Sequence, residues 1–203
     1  MPKKMSQHEL RQRTVSALFT KASLENLQAD VEKAKNAKKV KVGRLGLKME
    51  KKLHDLQKDD RFGQYEINDI EREINNLKVE IEEEADFEIA INLDEIKAFA
   101  LNYDNEDEAE FDQPEFFNQL FDGVLENSSD LTAKISEHLA KNWSFERLAR
   151  IEQVILQIGV FEILNSETPD VVAINEAIEL AKDFSDEKSS KFINGVLTNL
   201  IKK

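Results

Sequence analysis

Apolar residues recur at intervals of three and four along most of this chain, the spacing that sets side chains on one face of an α-helix. Residues 6–22 predict a first helix with Leu10, Thr14, Ala17, Leu18 and Ala22 on its apolar side, and Arg11 and Arg13 with Gln7 and Gln12 opposite. Ser6 and Glu9 have the spacing of a capping box, in which each side chain accepts the other residue's backbone N–H. Further helices are predicted at about 92–103, 114–126, 129–141, 145–165, 172–184 and 187–202. The run from Leu148 to Leu164 is apolar nearly all the way round, which predicts the central buried helix, and Pro169 ends its pattern. No segment makes a convincing strand, so the expected fold class is all-α.

Between residues 24 and 86 the pattern narrows. Leu24, Leu27, Val31 and Ala34 keep helical spacing until lysines and two glycines, Gly43 and Gly46, interrupt it. A second stretch carries Met49, Leu53 and Leu56. After a break at 59–63, a third carries Ile67, Ile70, Ile74, Leu77 and Ile81. Stripes this narrow suit helices that pair with each other, so 24–86 is expected to be an inserted helical hairpin within a single domain spanning 1–203.

Composition agrees with long helices. Only six glycines and three prolines occur in 203 residues, too few for a strand-and-turn architecture. With no cysteine there are no disulfides and no thiolate zinc sites. His8, His54 and His138 are isolated, and no glycine pattern for binding phosphate or a dinucleotide is present. An enzyme is therefore not expected, nor any cofactor or metal. The N-terminus lacks the apolar core of a secretory signal and no eighteen apolar residues run together, so a cytoplasmic protein without membrane spans is expected.

The net charge of −13 would repel a polyanion if spread evenly. It is segregated instead. Residues 33–52 hold Lys33, Lys35, Lys38, Lys39, Lys41, Arg44, Lys48, Lys51 and Lys52 against one acid, Glu50, while Lys97 is the only cation in 80–115. The lysine-rich part reads either as a solvated hairpin face or as an RNA contact; docking of another protein or support of a homodimer is also open.

The most informative stretch is VVAINEAIELAKDFSDEKSSKFINGVLTNL, from Val171 to Leu200. Ile174, Ala177, Ile178 and Ala181 form one helical face; Phe192, Ile193, Val196, Leu197 and Leu200 form the next. Gly195 costs about 1 kcal/mol against alanine inside a helix, which predicts a close helix–helix approach there. Asn175 and Asn194 are expected to be buried structural amides. This stretch resembles the C-terminal signature of the NusB family of transcription antitermination factors. FFNQLFDGVLEN at 116–127 is similar to the family's middle helix, WSFERLARIEQVILQIGVFEIL at 143–164 to its central helix and RTVSALFTK at 13–21 to its first helix. The four segments keep the family's order and cover roughly 1–23 and 92–203.

The resemblance implies a helical bundle that catalyses nothing. It implies a heterodimer with NusE, a small-subunit ribosomal protein, which captures the single-stranded boxA element of nascent RNA. With other Nus factors the pair helps RNA polymerase read through terminators, notably on ribosomal RNA operons. Single strands are held by cations along phosphates and aromatic rings under bases. On that basis the RNA-binding candidates are Lys3, Lys4, His8, Arg11, Arg13 and Phe19 at the N-terminus, with Lys188, Ser189, Lys191 and Phe192 at the start of the last helix. The N-terminal set is thinner than the family's arginine-rich segment, and Lys188 stands where many members carry an acid. Lys3 and Lys4 also read as solvated termini, and Phe19 and Phe192 as core. Glu152 corresponds to the NusE-facing surface. A NusB-like domain also precedes a ribosomal RNA methyltransferase in some proteins, but a chain ending at Lys203 leaves no room for that catalytic domain. The rival to an RNA-binding factor is a diverged adaptor of the same fold that binds proteins and has lost RNA.

Overall fold

The computed structural model describes residues 5–57, 68–69, 71–76, 79, 89–102 and 114–201, with residues 52–57 as backbone alone. Lys3, Lys4, the break at 59–63, Ile67, Ile70, Leu77, Ile81, Tyr103 and the acidic segment 104–113 lie outside the described residues, as do the side chains of Leu53, His54 and Leu56. Seven α-helices have both ends described: α1 (Gln7–Gln57), α2 (Leu93–Asn102), α3 (Glu115–Glu126), α4 (Ser128–Glu137), α5 (Arg150–Asn165), α6 (Asp170–Phe184) and α7 (Glu187–Ile201); residues 68–69, 71–76 and 79 are helical as well. A 3₁₀ turn, Phe145–Arg147, precedes α5, and no strand occurs among the described residues. The protein is all-α. No described helix is long and apolar enough to cross a membrane.

The chain divides into two compact units, one comprising Met1–Ala22 with Asn92–Lys203 and the other Ser23–Ile91. In the first, α5 is the hub. Val154, Ile155, Leu156, Ile158, Val160 and Phe161 are all buried, and α3, α4, α6 and α7 pack around them. Its near-continuous apolar run requires this position, because a helix with no polar face has no side to offer water. Two glycines let the helices approach. A Cβ on Gly159 would meet Leu197 Cδ1 at 2.8 Å and the Cβ of Ala177 at 3.4 Å, and one on Gly123 would meet the Phe161 ring at 2.1 Å.

Several sequence expectations change at this level. Gly195 is exposed and an added Cβ there would meet nothing within 4 Å, so Gly159 and Gly123 make the close approaches instead. Asn175 and Asn194 are also exposed rather than buried. The helix expected over 145–165 is split, because Leu148 and Ala149 are extended and α5 begins only where Glu152 accepts the N–H of Ala149 at 3.0 Å. At the other end of the unit, Ser6 N–H donates to Glu9 at 2.7 Å and Glu9 N–H donates to Ser6 Oγ at 3.1 Å, the reciprocal capping box that the sequence predicts.

In the second unit, α1 runs through Gly43 and Gly46 without interruption. Each glycine costs about 1 kcal/mol against alanine, but the surrounding alanine, lysine, leucine, glutamate and methionine are strong helix formers. Neither glycine adopts the positive φ that would end a helix. Val42 and Ile74 are the buried side chains of this unit among the described residues.

Candidate RNA interface

Three of the N-terminal cations are held by the fold. Arg11 is 1% exposed. Its Nε and Nη2 donate to the two Glu162 carboxylate oxygens at 2.9 and 2.7 Å, the fork-to-fork geometry of a guanidinium on a carboxylate. The same guanidinium lies 3.5 Å from Glu176 and 4.9 Å from the centre of the Phe116 ring. Glu162 also accepts from Thr168 Oγ1 at 3.1 Å, so both carboxylate oxygens are satisfied inside the bundle. Arg13 is buried as well, with Nη1 donating to the Ala100 carbonyl at 3.4 Å. Of the polar side expected for α1, Gln7 stays exposed and Gln12 half-buried, but both arginines point inward and neither faces solvent.

His8 sits between two acids. Its Nδ1 is 2.9 Å from Glu176 and its Nε2 is 3.1 Å from Asp183. The hydrogen bond to Glu176 is the main cause of a pKa raised above the usual histidine value, opposed by partial burial and helped by Asp183. Gln12 donates to the same Asp183 carboxylate at 2.9 Å. His8, Arg11 and Gln12 thus clamp α1 to α5 and α6.

Around the first turns of α7 the picture differs. Asp186 caps this helix, accepting the N–H of Ser189 at 2.8 Å. That bond is the main reason its carboxyl titrates below the ordinary aspartate value. Ser189 is buried and donates to Glu152 at 2.7 Å. Ser189 and Glu152, assigned by resemblance to two different partners, therefore touch each other and brace α7 against the start of α5. Lys188 and Lys191 are exposed, Lys191 within 2.8 Å of Glu187. Phe192 is half-buried under Trp143, with ring centres 5.7 Å apart and a 31° tilt. Trp143 remains 55% exposed. Lys188 and Phe192 are one helical turn apart, so they share a face. Phe19, on α1, is 39% exposed rather than core.

Trp143 is the functional candidate that sequence reasoning did not single out. Its signal was there: a lone tryptophan in the polar link KNWS between two helices has no apolar stripe to join. Glu162 likewise is the one acid deep in the apolar run of α5, which is a cue for a buried cation partner. Among the described residues no cluster of three or more His, Asp or Glu could hold a metal ion.

The NusB family model matches residues 69–202, which takes in three of the four resembling segments and leaves the first helix outside. Transcription antitermination protein NusB of Lactococcus lactis subsp. lactis is 53% identical over 133 residues, 66% of this chain and 69% of that protein. The protein of the same name from Enterococcus faecalis is 41% identical over 123 residues, 58% of this chain and 80% of the relative. A crystal structure of antitermination factors NusB and NusE in complex with dsRNA is 26% identical, with a TM-score of 0.47 over 55% of this chain and 81% of that one.

Proposed function

The chain belongs to the NusB family, and on that premise we propose that it is a transcription antitermination factor that binds boxA-type single-stranded RNA together with a NusE partner. The family is non-catalytic, so the work is done by presenting a surface. The observation that carries the RNA half is the exposed Trp143 ring on Phe192, with exposed Lys188 one helical turn from Phe192 and exposed Lys191 on the same helix. An open indole can take a base, and the lysines can neutralise the adjoining phosphates. NusE would complete the RNA-binding surface. With other Nus factors and RNA polymerase, the assembly would act in the cytoplasm on nascent transcripts, notably those of ribosomal RNA operons.

The test is titration of a boxA RNA with and without the cognate NusE across a salt series. Binding that NusE strengthens and salt weakens steeply supports the proposal. Absence of binding at low salt, even with NusE, supports the second reading, a protein-binding adaptor. That reading is favoured by one observation: Arg11 and Arg13 are buried and His8 is engaged by two carboxylates, so these N-terminal cations are not offered to phosphate.

A further inference from the structure

The second unit carries a basic face that the family's function does not call for. Lys33, Lys41, Arg44, Lys48 and Lys51 all lie in α1 and all are exposed. At about 100° per residue they fall within an arc of about 80°, and at about 1.5 Å per residue they extend over about 27 Å of helix. No acid occupies that arc between the first and the last of them: Glu50 projects well to one side. Val42, buried, points to the opposite side, with Val31 half-buried near it. Among the described residues none of the five forms an ion pair. Five cations in line with no paired acid among the described residues repel one another, and their sign is opposite to the chain's net charge of −13.

We propose that this face of α1 is a second RNA-backbone contact, reading phosphates along a strand and no base sequence. The charge excludes a polycation and suits a polyanion. An anionic bilayer is the poorer match, because a helix lying on a membrane buries an apolar side opposite its basic one, and here that side is the seam holding Val42. The spread of the cations along the helix, rather than their gathering at one point, suits a row of phosphates over a single compact anion. The idea rests on the RNA-binding reading above for its biological sense, since it gives transcript outside boxA a place to bind.

The experiment uses the full chain with Lys33, Lys41, Arg44, Lys48 and Lys51 all changed to Gln, which matches Lys and Arg in helix propensity. A second variant keeps the charge, with the four lysines changed to Arg and Arg44→Lys. Circular dichroism establishes that both remain helical. The probe is a uridine oligomer without boxA, titrated from about 50 to about 200 mM salt. If three phosphates are seated, the glutamine variant's salt slope is shallower by about 2 and it loses about 20-fold less affinity over that range than the unaltered chain. The charge-keeping variant should behave as the unaltered chain does. Equal slopes for the unaltered chain and the glutamine variant overturn the proposal, and so does stripe-dependent binding to phosphatidylserine vesicles without stripe-dependent binding to the oligomer. A chain that fails on boxA with NusE yet shows the slope difference on uridine refutes the antitermination reading and leaves this one standing. Binding to boxA with NusE but equal uridine slopes does the reverse.

Discussion

Replacing Arg11 by Met separates the two roles that this residue can play. Removing the guanidinium takes two charge-assisted hydrogen bonds from Glu162 and leaves a carboxylate that is itself 1% exposed, with Thr168 Oγ1 as its remaining donor at 3.1 Å. Stranding one member of a buried pair typically costs about 3–5 kcal/mol, because the surviving charge can neither reach water nor be balanced. Against a total stability of about 5–15 kcal/mol, that is about a fifth or more of what holds a domain together. Urea denaturation should therefore show a large fall in midpoint for Arg11→Met. Adding Glu162→Leu should recover most of the loss, because the unpaired charge goes with it. The RNA-binding salt slope of the folded fraction should not change. A cost below about 1 kcal/mol would mean that water reaches the pair. A slope shallower by about 0.7 with stability intact would mean that Arg11 faces phosphate, as the resemblance alone suggests, and either result refutes the reasoning.

Other consequences follow from the same contacts. His8 has a raised pKa, so its contribution to stability is fully present below the unfolded value near 6.5 and is lost as pH rises through the higher folded value. Urea midpoints on either side of that window should fall with rising pH for the unaltered chain and stay flat for His8→Gln; a parallel fall in both would remove His8 as the cause. Gly159→Ala should destabilise by about 1–3 kcal/mol, since its Cβ would press on buried Leu197, whereas Gly195→Ala, with open space, should stabilise by about 0.5–1 kcal/mol. Thermal unfolding of the two variants checks the opposite signs. Trp143→Ala should weaken RNA binding by about 1–3 kcal/mol, the worth of one stacked base, and leave the salt slope alone. Lys188→Glu should do the complementary thing, making the slope shallower; affinity and slope both unchanged would take Lys188 out of the interface.

Much of the architecture was legible along the chain because it is local. The three-four spacing, the Ser6–Glu9 box and the apolar run of α5 each depend on residues within a turn or two, and each matches the helices formed. The family was legible for a related reason, since its segments keep their order and spacing. The candidate site was not. Periodicity says which residues share a face of a helix but not what that face meets. Arg11 and Glu162 are 151 positions apart, and only their packing turns an apparent surface arginine into the inside of the bundle. Ser189 meets Glu152, and Trp143 covers Phe192, for the same reason. Glycine shows the limit most plainly. The sequence alone determined that a glycine in a helix costs stability wherever it stands. Only the tertiary structure decided that Gly159 repays this by letting Leu197 and Ala177 close in while Gly195 faces open space, because a missing Cβ matters only where another helix occupies its place.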